Sequence, residues 1–142
     1  MKIIIMRGPS GVGKSTYTKK HYADAFVCST DDFFGQGYDF DPRLLPRAHQ
    51  ECFATFLHAV WIKKPIIVVD NTSVEKWEYE NYCTVAKITG YELEIIEFKI
   101  STVEQLKVVC SRSAHDVPKE VIARKIIAFE HDPRAIEIEV EI

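Results

Sequence analysis

The segment Gly8-Pro-Ser-Gly-Val-Gly-Lys14-Ser15 has the residue types and spacing of a backbone cradle for phosphate, matching GxxxxGK[ST] in full. Its glycines let successive N–H groups turn inward on phosphate oxygens, and a helix starting at the loop's end adds favourable partial charge. On this reading Gly8, Ser10, Gly11, Val12, Gly13, Lys14, Ser15 and Thr16 bind a nucleoside triphosphate. Lys14 reaches the β- and γ-phosphates, and the Ser15 hydroxyl ligates magnesium. Carboxylates are the second requirement, because a triphosphate site needs another magnesium anchor and phosphoryl transfer needs a group to deprotonate an acceptor hydroxyl. Asp70 ends the apolar run Ile66-Ile-Val-Val69 and suits the metal. Asp31 and Asp32 follow a second apolar run and its Ser29-Thr30 exit; Asp31 is a second candidate carboxylate, though either it or Asp70 could instead cap the helix that follows, and Asp32 reads as a cap or a solvated charge.

These residues meet only if the chain folds to bring them together. Five short apolar runs supply the strands: Lys2 to Met6, Ala25 to Cys28, Pro65 to Asp70, Glu92 to Ile100 and Ile136 to Ile142. Longer helical patterns separate them, which predicts βαβ units around a parallel sheet. The unbroken apolar runs suit central strands covered on both faces, and the strictly alternating last run suits an edge. Thr72-Ser-Val-Glu75 and Ser101-Thr-Val-Glu104 read as capping boxes. Pro118 suits the first position of a helix through Phe129, and residues 44 to 63 read as a long helix with Pro46 near its start. The expected fold is a three-layer α/β/α sandwich with about five parallel strands, one domain over residues 1–142. In such a sheet every strand C-terminus opens on one edge, so Asp31, Asp70 and the glycine loop share it.

Several segments, in order, resemble the polynucleotide 5′-hydroxyl kinases. They are the loop from Gly8 to Thr16, Ser29-Thr-Asp-Asp-Phe33, Tyr38-Asp-Phe-Asp-Pro42 with Ala48-His49, Val69-Asp-Asn-Thr72 with Trp77-Glu78, Arg112 through His115-Asp-Val-Pro118, and Phe129-Glu-His-Asp132. The resemblance implies an ATP- and magnesium-dependent kinase whose acceptor is the 5′-OH of a nucleic acid. It assigns the general base to Asp31 and a charge-stabilising role in a lid, about residues 112–118, to Arg112. Phe34 stands where the phage members carry an arginine that holds the acceptor's phosphate. Other acceptors compatible with the loop are a hydroxymethylated base in DNA, a nucleoside or a small metabolite. A slow nucleotide-dependent switch or binding module is the reading of a different class.

Phe33, Phe34, Tyr38 and Phe40 interleave with Gly35 and Gly37 beside Asp31, and could stack on a nucleobase or cover the sheet edge. Arg43 and Arg47 could meet an acceptor phosphate, and one of Arg124, Lys125 and Arg134 could contact ATP, though each taken singly reads as a surface charge; His115 reads as a phosphate contact or a turn cap, and Trp61 and Trp77 as core.

Bulk properties narrow the rest. With 142 residues, 46% hydrophobic and 27% charged, the chain has the composition of an ordinary globular domain. A net charge of −3 argues against broad coating of nucleic acid, so any such contact is local. Four scattered cysteines without a CxxC pair suit reduced thiols in the cytoplasm, and the histidines show no metal-ligand spacing. No apolar run reaches the length of a membrane span, and the N-terminus lacks the pattern of a signal peptide.

Overall fold

The computed structural model describes residues 1–35, 40–112 and 117–142. Gly37, Tyr38 and His115, with most of the expected lid, lie outside the described residues.

Five parallel strands form one sheet: β1 (Lys2–Arg7), β2 (Phe26–Cys28), β3 (Ile66–Asp70), β4 (Glu92–Lys99) and β5 (Ile136–Glu139), in the order β2-β3-β1-β4-β5. Among the described residues five α-helices connect or flank them: α1 (Lys14–His21), α2 (Leu45–Trp61), α3 (Glu80–Thr89), α4 (Val103–Arg112) and α5 (Lys119–Ala128). The period of two along a strand divides the core. Ile3 and Ile5 of β1 face the same cluster as Ile67, Val69 and Ile95, filled in by Phe56 and Ala59 of α2 and by Tyr82 and Ala86 of α3. Ile4 and Met6 point the other way, with Val68, Ile96 and Phe98, onto Val109 of α4 and Ile122 of α5. Every one of these side chains is buried, each burial favouring folding by about 1.5–3 kcal/mol for the larger aliphatics. This is why β1 and β3 read as unbroken apolar runs. β5 stands at one end of the sheet order, paired with β4, and its Ile136 is exposed, as an edge strand should be.

The capping boxes lie where the backbone permits them. Ser73 has φ of 47°, a left-handed conformation that is incompatible with starting a helix after Thr72. The reciprocal bond forms three residues later, where Glu75 N–H donates to Glu78 Oε2 at 2.7 Å. At α4 the box is displaced by one residue. Gln105 N–H donates to Thr102 Oγ1 at 3.1 Å, and Gln105 Oε1 accepts from the N–H groups of Ser101 and Thr102. Gln105 Nε2 also bonds Glu139 and the Val140 carbonyl, which Glu104 on the exposed side does not do. Pro118 caps α5 instead of occupying its first turn. Trp61 and Trp77, expected in the core, are 82% and 74% exposed. Trp61 is the last residue of α2, beyond the stripe that packs on the sheet, and the indole N–H of Trp77 donates to Glu75 Oε2 on the surface.

One buried charge ties this frame together. Arg7, the last residue of β1, is 0% exposed and pairs with Glu97 of β4. Its other N–H groups donate to the carbonyls of Ser73, Val74 and Glu130, and its guanidinium lies 4.5 Å from the ring centroids of both Tyr79 and Phe129. The strained turn at Ser73 is thereby held from the residue that precedes the glycine loop.

Candidate active site

The glycine loop leaves β1 and enters α1. At Gly8 a Cβ would come within 2.9 Å of Val12 Cγ2 and 3.3 Å of Phe98 Cβ, so only glycine fits. At Gly13, the residue before α1, φ is 108° and the requirement is conformational. Val12 buries its side chain in the core beneath the loop, which leaves its backbone as the part able to meet a ligand. Gly8 N–H donates to the Thr72 carbonyl at 2.9 Å and fastens the loop to the chain leaving β3.

The parallel register sets Met6 beside Asp70, so the end of β3 lies against the root of the loop. Ser15 Oγ donates to Asp70 Oδ2 at 3.3 Å. A hydroxyl and a carboxylate in this arrangement are hard oxygen donors suited to magnesium. Burial pushes the Asp70 carboxyl above its ordinary pKa, while Lys14 and the Ser15 hydroxyl draw it down. Lys14 Nζ donates to the carbonyls of Gly8 at 2.7 Å and Pro9 at 3.1 Å. Burial lowers its pKa to about 8, with the charge of Lys125 acting in the same direction and those of Asp70 and Asp31 against it.

Asp31 stands in a single 3₁₀ turn, Thr30–Phe34, which Ser29 caps by accepting the Asp31 N–H at 3.2 Å. Asn71, next to Asp70, accepts from Thr30 N–H at 2.8 Å and Thr30 Oγ1 at 3.1 Å. Its amide in turn reaches Cys52 Sγ, to which Tyr82 also donates. The ends of β2 and β3 are therefore stitched to each other and to α2.

A cavity of about 930 Å³ opens on this sheet edge, and Ser10, Lys14, Ser15, Thr16, Asp31 and Asp70 all line it. Asp32 does not: it borders a smaller pocket of about 210 Å³ with Phe33, Glu51 and Cys52, and burial raises its pKa, with a further contribution from Asp31. The adjacent aspartates thus face different surroundings. Arg112, at the C-terminal end of α4, also lines the large cavity, and its guanidinium donates to the Glu141 carbonyl. The aromatics form a chain, Phe33 edge-to-face with Phe34 and Phe34 tilted against Phe40, each pair with centroids 5.2 Å apart. Phe40 is 47% exposed and lines the cavity, whereas Phe33 lies under the Arg47 guanidinium. Arg43 is paired with Asp41 at 2.8 Å, and Arg134 with Asp132 at 2.9 Å.

Sequence spacing did not single out Thr30 or Asn71 as lining this cavity, and left Lys125 as one of three basic residues of which one could contact ATP. Lys125 reads as a surface charge in isolation, yet its amine donates to Thr72 Oγ1 at 3.2 Å. A signal was available: Pro118, Val121, Ile122 and Lys125 follow the i, i+3, i+4, i+7 rule of one helix face, and all four border the cavity. The fold also gathers Glu97, His131 and Glu137, whose candidate ligand atoms lie within 4.8 Å of one another. Glu97 Oε1 there accepts from Arg7 and from Asp132 N–H, and its Oε2 bonds His131, so the group is an ion-pair network around Arg7.

The fold has counterparts among known proteins. Human NEDD4-binding protein 2 is 30% identical over 142 residues that take in 96% of this chain, and the chain spans only 8% of that protein's length. Among solved structures, a gluconokinase from Sinorhizobium meliloti 1021 superposes with a TM-score of 0.67 at 14% identity, covering 98% of this chain and 82% of that one. The tunicamycin resistance protein of Deinococcus radiodurans gives 0.60 at 18% identity, covering 97% and 85%. At these identities the likeness is one of fold, a P-loop kinase-like α/β sandwich. Residues 3–131 match the family described as AAA domain, from the first apolar run through the segment that follows α5, and the chain belongs to that family.

Proposed function

We propose that residues 1–142 act as one ATP- and magnesium-dependent kinase domain that transfers the γ-phosphate to a hydroxyl, with the 5′-OH end of a nucleic acid as the acceptor. The observation that carries the kinase reading is the shared cavity: the glycine loop, the Ser15–Asp70 pair and Asp31 all border one space. In this reading the loop and Lys14 hold the phosphates, and Ser15 and Asp70 hold magnesium. Magnesium, when bound, neutralises charge on the β- and γ-oxygens. Asp31 accepts the proton of the acceptor hydroxyl, and Arg112 leaves the Glu141 carbonyl to meet the charge that moves during transfer, as part of a lid around residues 112–118. The nucleic-acid acceptor is supported by the exposed Phe40 ring at the same cavity, where a terminal base could stack, and by the resemblance of the motifs to polynucleotide kinases.

A specific observation favours a second acceptor, a neutral small molecule. Besides Asp31 the cavity wall carries Thr30, Phe40, Leu45, His49 and Glu78, neutral, aromatic and acidic groups that suit a hydroxylated acceptor without a phosphate. The experiment is transfer of labelled γ-phosphate to 5′-OH oligonucleotides, beside strands with blocked 5′ ends, strands with hydroxymethylated bases, and a panel of nucleosides and sugars. Label on free 5′ ends alone supports the preferred acceptor. Label on blocked, hydroxymethylated strands moves the acceptor to the base, and label on small molecules alone selects the second reading. ATP hydrolysis without transfer to any of them leaves a nucleotide-dependent switch.

A further inference from the structure

We infer that Lys125 is a catalytic residue: a second ammonium, delivered by α5, that contacts the terminal phosphate of the bound triphosphate opposite Lys14. This rests on the reading of the large cavity as a triphosphate site.

Three observations lead to it. The cavity-facing stripe of α5 is Pro118, Val121, Ile122 and Lys125, so Lys125 is the single charged group on an otherwise apolar wall. Its amine is placed by Thr72 Oγ1 at 3.2 Å, and the carbonyl of the same threonine receives Gly8 N–H, so the charge is anchored at the root of the phosphate loop. That end of the cavity also holds Lys14 and Asp70, where the β- and γ-phosphates belong. Finally, none of the ion pairs among the described residues includes Lys125, and the partner seen for it is a neutral hydroxyl. A half-buried cation beside a second cation, with a neutral partner, is unfavourable by itself and favourable once an anion lies between the two.

The chemistry needs no proton from Lys125. The acceptor oxygen forms a bond to the γ-phosphorus and gives its proton to Asp31. The bond from the γ-phosphorus to the β,γ-bridging oxygen breaks, and its electron pair leaves with ADP. Lys125 stays charged throughout and donates a hydrogen bond to an oxygen of the transferring group, where added charge is greatest.

The test compares magnesium-ATP and magnesium-ADP binding with phosphate transfer in Lys125→Met and Lys125→Arg. Lys125→Met should weaken ATP about tenfold while leaving ADP within about twofold, and should lower kcat for transfer by about a hundredfold. Lys125→Arg should restore most of both, since the charge is what matters. Should the methionine variant fail to fold, Lys125→Gln keeps a polar head for Thr72 and should show the same split. Equal losses of ATP and ADP, or no loss of either, would overturn the assignment. Failure of the unsubstituted protein to bind either nucleotide is a different result, because it removes the triphosphate reading and this inference together.

Discussion

Lys14 sits where burial and charge compete, and that competition has a measurable sign. In the protein without nucleotide, burial lowers its pKa to about 8, well below the ordinary lysine value. The unfolded chain therefore binds more protons than the native state between about pH 8 and 10.5, and the charged lysine is a stability cost that is full below pH 8 and relieved as pH rises. Nucleotide binding reverses the balance, since phosphate favours the ammonium and raises its pKa in the complex. ATP affinity should be constant below pH 8 and then fall up to tenfold per unit as the free protein loses the proton. Calorimetric titration from pH 7 to 9.5 checks this, and Lys14→Arg, permanently charged, should lose the alkaline limb whatever its absolute affinity. A flat profile in the unsubstituted protein would remove Lys14 from the phosphate contact. The two carboxylates separate in the same way. Asp31→Asn should keep magnesium-ATP affinity and lower turnover by about 10²–10⁴, the worth of a positioned base. Asp70→Asn, which alters the partner of Ser15, should raise the magnesium needed for half-maximal activity. Finding the metal dependence in Asp31→Asn instead would exchange their roles.

At the scale of elements, Arg7 shows what a sequence reading leaves out. The residue lies between an apolar run and a glycine loop, and its type alone suggests a phosphate contact or a surface charge. Its partners come from β4, from the turn after β3 and from the segment after α5, 66 to 123 positions away in the chain. No local pattern encodes such a contact. The strands themselves were legible because burial on both faces writes itself into consecutive Ile and Val, and β5 because a half-wet edge alternates. The capping boxes were legible as a motif and shifted in position, because the turn at Ser73 and the reach of Gln105 to Glu139 are tertiary facts. Trp61 and Trp77 misled because size predicts burial on average, while position decides it: Trp61 ends α2, and Trp77 lies in a short surface 3₁₀ turn over residues 76–78. The Arg7 assembly carries its own prediction. Arg7→Ala leaves the buried Glu97 with His131 and the Asp132 N–H but without the guanidinium, and frees three carbonyls, so unfolding in urea should show a loss of about 3–5 kcal/mol. Replacing both by Arg7→Met and Glu97→Leu should recover part of it, and a single substitution with no measurable cost would contradict the network.

Across the whole molecule, the sheet order does the work of assembly: β1 and β3 are central neighbours, so the loop after one and the acid after the other meet without any long excursion of the chain. That much follows from strand–helix alternation and the rule for parallel sheets. What composition could not say is where positive charge ends up. The net charge is −3, Arg43 and Arg134 are neutralised by Asp41 and Asp132, and Arg7 is sealed inside. The described cations left at the cavity, Lys14, Arg112 and Lys125, belong to the triphosphate in the reading proposed here. A nucleic-acid acceptor would therefore be held by its terminal nucleotide, through stacking at Phe40 and the hydroxyl at Asp31, with few phosphates neutralised. Binding of single-stranded oligonucleotides should then weaken only shallowly with salt, with a logarithmic slope of about −1 to −2. Strands of three and twenty nucleotides should be phosphorylated with nearly equal kcat/KM, and Phe40→Ala should raise KM for the strand while leaving KM for ATP unchanged. Fluorescence anisotropy across a salt series and initial rates across lengths measure both. A slope steeper than about −4, or a rate that climbs with length, would require a phosphate-binding track on this acidic surface and would contradict a terminal, stacked acceptor.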